Sequence, residues 1–232
     1  DRVVVCEGSW IVYRPSMIRL LLGLAARVPF LDGRVVNRGR GGAHQAEYCY
    51  GVWLKHLALL RAAGCVEVPA SVAELGPGDS LGTGLAALLS GADTYHALDT
   101  RRFSEHARNE RVLDELLELF RSRAPRPTRG WPDFDAHLDD HLFPSQVLGE
   151  VQLARALAPA RVDSIRQALR NEVSDDGRVS IRYVAPWHDP RVIERQSVKL
   201  IFSHSVLEHV RDIDHMLSLI HISEPTRRTP IS

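Results

Sequence analysis

Val72-Ala73-Glu74-Leu75-Gly76-Pro77-Gly78-Asp79-Ser80-Leu81-Gly82 and, after a short helical run, Tyr95-His96-Ala97-Leu98-Asp99 decide the fold. Val72 to Leu75 is an apolar strand that runs into a glycine turn. The turn opens a helix through Leu85 to Leu89, and a second apolar run, Thr94 to Leu98, ends on the acid Asp99. Strand, glycine turn, helix and strand form the first half of a nucleotide-binding βαβ unit. Glycines let the backbone approach a ligand, and a carboxylate about twenty residues later can accept ribose hydroxyls. The spacing from Gly78 to Asp99 meets that rule.

The turn separates two chemistries. A dinucleotide fingerprint, Gly-x-Gly-x-x-Gly, needs its third glycine at position 81, where this chain has Leu81. A pyrophosphate needs unobstructed amides at the helix N-terminus, so Leu81 disfavours a dinucleotide-binding oxidoreductase. Glu74 followed by Gly76-Pro77-Gly78 resembles motif I of the class I S-adenosylmethionine-dependent methyltransferases. That cofactor carries no phosphate and needs only a close backbone and an acid for its ribose. Ser80 stands where the family often has a third loop glycine, and it is small enough to fit.

A second segment extends the resemblance. Ser197-Val198-Lys199-Leu200-Ile201-Phe202-Ser203-His204-Ser205-Val206-Leu207-Glu208-His209-Val210 is similar to the family's fourth strand and following helix. Val179 to Val184 reads as the third strand, with Pro186-Trp187-His188-Asp189 leaving its carboxyl end. The family usually has an acid near the start of the fourth strand, where this chain has Lys199. The resemblance covers roughly residues 48–216. It implies a Rossmann-like doubly wound parallel sheet, incomplete at the C-terminus, with S-adenosyl-L-methionine as cofactor. Glu74, Gly76, Pro77, Gly78, Asp99, Thr100 and Ser203 are its expected cofactor-binding residues, and no metal is implied.

Methyl transfer from a sulfonium is an in-line displacement, so the protein mainly aligns the nucleophile and excludes water. A general base is needed for a hydroxyl or a protonated amine. Ligands bind at the carboxyl ends of the strands, which selects Ser203 and His204 after the fourth strand and Trp187 and His188 after the third. His204 is the candidate catalytic base; the competing reading is a solvent-facing turn residue. Glu208 and His209 fit helix capping or packing better than catalysis. The sequence lacks an Asn-Pro-Pro-Tyr-type stretch after the fourth strand and a cysteine beside it, so it names no acceptor. A small molecule, a glycan or a lipid-linked intermediate stays open, as does a non-catalytic protein that binds S-adenosylmethionine.

At 232 residues, one elaborated α/β domain is the default. Lysine plus arginine number 29, as do aspartate plus glutamate, so no basic excess calls for nucleic acid or an anionic membrane. The tightest basic group, Arg34, Arg38 and Arg40, reads as a solvated loop. Cys6, Cys49 and Cys65 lack paired or metal-type spacing, which predicts reduced thiols in a cytoplasmic compartment. No apolar run reaches the ~18 residues of a membrane span. Met17 to Phe30 reads as a packed amphipathic helix.

Three divisions are expected: a segment at 1–44, a partial methyltransferase domain at 45–216, and a tail at 217–232. Met17 begins the family-like stretch, and on that reading residues 1–16 stand outside the native protein. Leu217-Ser218-Leu219-Ile220-His221-Ile222-Ser223-Glu224-Pro225-Thr226-Arg227 resembles the translation of a transposase-type sequencing adapter, so the tail is expected to add no strand. The outer edge of the fourth strand is then expected to stay unpaired. Gln45 to Ala63 reads as a helix near the cofactor, with Tyr48 and Tyr50 able to line the pocket. Between the second and third strands, residues 101–176 form a helical insertion with helices at Arg111–Arg123, Ser145–Leu157 and Val162–Leu169, expected to roof the site. Asp135, His137, Asp139, Asp140 and His141 read as a polar surface segment rather than a metal cluster.

Overall fold

The computed structural model describes residues 2–6, 9–13, 42–127, 142–187, 189–194 and 197–204; for the two N-terminal strands and Pro190 it describes the backbone alone. The Met17–Phe30 stretch, Arg34, Arg38, Arg40, the Asp135–His141 segment, His188, Glu208, His209 and the 217–232 tail lie outside the described residues.

Six strands form one sheet: β1 (Arg2–Cys6), β2 (Ser9–Tyr13), β3 (Ser71–Leu75), β4 (Thr94–Leu98), β5 (Ser180–Val184) and β6 (Leu200–Ser203), in the order β2-β1-β6-β3-β4-β5. The four strands expected from the sequence are parallel neighbours. Val72 pairs with Tyr95 and with Leu200, and Tyr95 with Ile181. The hairpin β1–β2 joins antiparallel, Val4 opposite Phe202. One expectation therefore changes: the outer edge of β6 is paired, with residues 2–6 beside it and 9–13 beyond them. Backbone amides and carbonyls that a buried edge would leave unmet are satisfied by β1.

Five helices are described: α1 (Ala46–Ala62), α2 (Gly82–Leu89), α3 (His106–Arg121), α4 (Glu150–Ala156) and α5 (Pro159–Asn171). None is long and apolar enough to cross a membrane. The alternation of the strands explains where they lie. Val72, Tyr95, Ala97, Ile181, Leu200 and Phe202 point to one face and share a core with Trp53, Leu85, Leu88, Leu113, Phe120 and Ile165 from the helices. Ala73, Leu75, Leu98 and Ile201 point to the other, where Ile193 and Val198 of the β5–β6 connection cover them. The β3–β4 and β4–β5 crossovers thus share one face, and the crossover that reverses direction to reach β6 uses the other. Crossovers of one hand demand this arrangement. It puts the topological switch point between β3 and β6, where open α/β sheets bind ligands.

The insertion between β4 and β5 does not form a roof in its described part. Val112, Leu113, Leu116 and Phe120 of α3, Leu153 of α4 and Val162 and Ile165 of α5 are buried in the sheet-facing core. The physical reason is the amphipathic stripe on α3, which is only satisfied against other apolar surface. Arg161 of α5 donates to the carbonyls of Leu88 and Ala92 (3.4 and 2.6 Å) and pairs with Asp93 at 3.0 Å, capping the distal end of α2. Boundaries moved for local reasons. Pro159, expected to break the chain between helices, opens α5 at a position that lacks an N–H partner anyway.

Candidate functional site

The site is built at the carboxyl end of β3. Gly76 and Gly78 have φ of 70° and 73°, a left-handed conformation that side chains rarely adopt. The turn brings the Gly78 amide to Asp99 Oδ2, 3.3 Å away, while Asp99 Oδ1 accepts the Thr100 amide at 2.7 Å. The Gly76 amide donates to the Leu98 carbonyl at 2.8 Å, and the Trp187 amide to the Asp99 carbonyl at 2.8 Å. The ends of β3, β4 and β5 are thereby stitched around one carboxylate. Asp99 is 9% exposed; burial raises its pKa, opposed by hydrogen bonds from the Thr100, Gly78 and Arg101 amides and the Thr100 hydroxyl. A carboxylate offers about four lone-pair positions, matched in number by these four donors, so a ligand hydroxyl would take the place of the longer contacts, from the Gly78 amide at 3.3 Å and the Thr100 hydroxyl at 3.4 Å. Gly76, Pro77, Gly78, Asp99 and Thr100 are thus brought together as the spacing predicts.

Glu74 and Ser203 are both buried. Glu74 is 4% exposed and lies beneath the loop. Its carboxylate accepts the Tyr95 hydroxyl at 2.5 Å and is held as well by the Thr83 hydroxyl and the Gly84 amide at the start of α2. Burial pushes its pKa up to about 7 against those donors, with Asp99 adding a smaller push in the same direction. The acid therefore caps α2 from inside. Ser203 is fully buried, with its hydroxyl toward the Leu75 carbonyl at 3.4 Å, and so ties β6 to β3. Lys199 keeps its side chain exposed, and its amide donates to the Ser71 carbonyl at 3.0 Å.

Three amides at the N-terminus of α2 are engaged by side chains. Leu81 donates its amide to Asn109 Oδ1 at 2.9 Å, Gly82 to Ser80 Oγ at 3.1 Å, and Gly84 to Glu74. Two glycines make the packing behind this turn possible. A Cβ on Gly84 would sit 2.0 Å from the Tyr95 ring, and one on Gly82 would sit 2.4 Å from Cys49 Sγ. Sequence reading missed Asn109, Thr83 and Tyr95 as builders of the site. The signal for Tyr95 is its position in β4, on the same face as Glu74 and opposite the small residues Gly82 and Gly84.

The strap Gly42–His44, a single 3-10 turn, covers one side of the glycine loop. Ser80 donates its hydroxyl to the Ala43 carbonyl, and Cys49 Sγ contacts the same carbonyl at 3.3 Å. Cys49 is a buried free thiol whose pKa is pushed up to about 12 by burial and then by Glu74. Tyr48 and Tyr50 diverge. Tyr48 meets the His204 ring edge-on at 5.7 Å, at the exit of β6. Tyr50 turns into the core against Phe120, its hydroxyl donating to the Ala124 carbonyl at 2.7 Å. The rim therefore has an Asp99 side and a Tyr48–His204 side, with the glycine loop between them.

The chain matches no family model, no curated protein and no solved structure.

Proposed function

We propose that this protein binds S-adenosyl-L-methionine over Gly76–Gly78 and transfers its methyl group to an acceptor admitted beside β6. The observation that carries this reading is the engagement of the Leu81, Gly82 and Gly84 amides at the N-terminus of α2. A dinucleotide's pyrophosphate would need the amides that Asn109, Ser80 and Glu74 already engage. It would also meet the buried Glu74 carboxyl, charged above about pH 7. A nucleoside without phosphate needs neither, and its ribose can use Asp99 by replacing the long contacts from the Gly78 amide and the Thr100 hydroxyl. This favours the methyl-transfer reading over a dinucleotide-linked oxidoreductase.

Bound there, the cofactor supplies an electrophilic sulfonium methyl. Asp99 would hold the ribose hydroxyls, and Gly76 and Gly78 would give backbone-close approach without a Cβ in the way. His204 is the group at the β6 exit able to take a proton from a hydroxyl acceptor, and Tyr48 packs on its ring edge. The acceptor is a small molecule or a glycan- or lipid-linked intermediate. The free thiols Cys49 and Cys65 suit a reducing, cytoplasmic compartment.

The test is calorimetric titration of the chain with S-adenosylhomocysteine and, separately, with NADH. Binding of the first without the second is the expected result. NADH binding with no S-adenosylhomocysteine binding would reverse the reading.

A further inference from the structure

Asp99 and the glycine loop account for one ligand, but the side chains of the two residues that follow Thr100 have no part in that account. Arg101 and Arg102 are exposed at the carboxyl end of β4. The Arg101 guanidinium lies over the Phe103 ring, 4.5 Å from its centroid, and the Arg102 guanidinium lies 4.4 Å from the centroid of Tyr183. Arg102 Nη2 also donates to the Tyr183 carbonyl at 3.0 Å, and the Phe103 amide donates to the Tyr183 hydroxyl at 3.1 Å, so rings and guanidiniums brace one another. Among the described residues neither guanidinium meets a carboxylate. Arg161, Arg166 and Arg191 each do, at 3.0, 2.5 and 2.8 Å.

An arginine stacked on a ring keeps its in-plane N–H donors and its charge, and it loses less freedom when an oxyanion arrives. Solvated arginines without a role normally wander or find an acid. Two adjacent ones held on aromatic faces, beside a ligand carboxylate and without acids of their own, form a receptor for a group with several anionic oxygens. A phosphate fits that description better than a single carboxylate, because it can accept from both forks at once.

The geometry points to Arg101 and Arg102 as a subsite for the phosphate of a phosphorylated second substrate. This rests on the nucleoside reading of Asp99 only in taking the phosphate to belong to the acceptor. The same oxyanion chemistry could instead reside on the nucleotide's own ribose. Asp99 opposes that source, since its carboxylate stands where a ribose 2′-phosphate would come.

The experiment is calorimetric titration with inorganic diphosphate, on the full chain alone and saturated with S-adenosylhomocysteine. Diphosphate should bind equally in both cases. The Arg101→Ala/Arg102→Ala double variant should weaken it at least tenfold, while Arg178→Ala, at an exposed arginine far along the chain, should leave it unchanged. Arg101→Ala alone removes no hydrogen bond among the described residues, so it serves should the double variant fail to fold; it should lower affinity severalfold. The proposal is overturned if wild-type protein ignores diphosphate, or if the arginine variants bind it as wild type does. Equal loss in Arg178→Ala overturns it too, as does adenosine 2′,5′-bisphosphate displacing S-adenosylhomocysteine through these arginines. Arginine-dependent diphosphate binding without any S-adenosylhomocysteine binding would sink the methyl-transfer reading and leave the anion subsite standing.

Discussion

The hydroxyl of Tyr95 donates to the carboxylate of Glu74 at 2.5 Å, both groups buried beneath the glycine loop. The bond joins β4 to the acid that caps α2, so it sets the height of the loop above the sheet. The ring reaches Glu74 only because Gly84 leaves it room.

Tyr95→Phe keeps the ring and removes the donor. Leaving a buried carboxyl short of a partner costs about 1–3 kcal/mol, more if it stays charged. Urea denaturation at neutral pH should show a loss in that range, and an unchanged midpoint would contradict the role given to this bond.

Glu74 makes stability depend on pH in an unusual direction for a carboxylate. Its folded pKa is raised from 4.5 to about 7, so the folded state binds the extra proton between those values. Stability is then fully present below about pH 4.5 and is lost as pH rises through 7, by an amount on the order of 3 kcal/mol. Asp99, also raised by burial, acts in the same direction, while His96, lowered by burial and Arg182, acts oppositely in its own range. Glu74→Gln removes only the first contribution. The difference in unfolding free energy between variant and wild type, measured at pH 5 and pH 8, should shift toward the variant at pH 8.

Gly84→Ala should be severe. A methyl 2.0 Å from the Tyr95 ring forces the helix off β4, and overpacking in a closed core costs about 1–3 kcal/mol or more. Thermal melting should fall sharply. Gly149→Ala, with nothing within 4 Å of the added carbon, serves as the tolerant control.

Asp99→Ala separates binding from stability. Two hydroxyl bonds to a charged acceptor contribute about 2–4 kcal/mol together, or one to three decades of affinity for S-adenosylhomocysteine. Its removal also leaves the Gly78 and Thr100 amides without their acceptor, a cost of about 1–3 kcal/mol that denaturation reads apart from the affinity. Calorimetry showing unchanged affinity would remove Asp99 from the site.

Arg161→Ala tests the far end of α2. It deletes donors to the Leu88 and Ala92 carbonyls and a partner of Asp93. A loss of about 1–3 kcal/mol is expected in denaturation, with S-adenosylhomocysteine affinity unaffected. Loss of affinity at full stability would mean that this helix end communicates with the loop.

Local chemistry made much of this protein legible in its residues alone. The apolar runs of β3, β4, β5 and β6, the turn that needs Gly76 and Gly78, and the distance from that turn to Asp99 are short-range matters of backbone freedom, alternation and spacing. Tertiary structure decided what periodicity cannot express. Glu74 reads as a ligand because an acid beside a glycine turn looks the same whether it faces outward or in; only Tyr95, twenty-one residues on, turns it into an internal cap. The stripe on α3 announces a buried face but not its partner, so the insertion reads as a roof until it meets α2 and β5. The pairing of β1 with β6 joins residues nearly two hundred positions apart. Strand partners at that separation are chosen by which edge of the sheet is left to satisfy, and that is a property of the assembled core rather than of either segment.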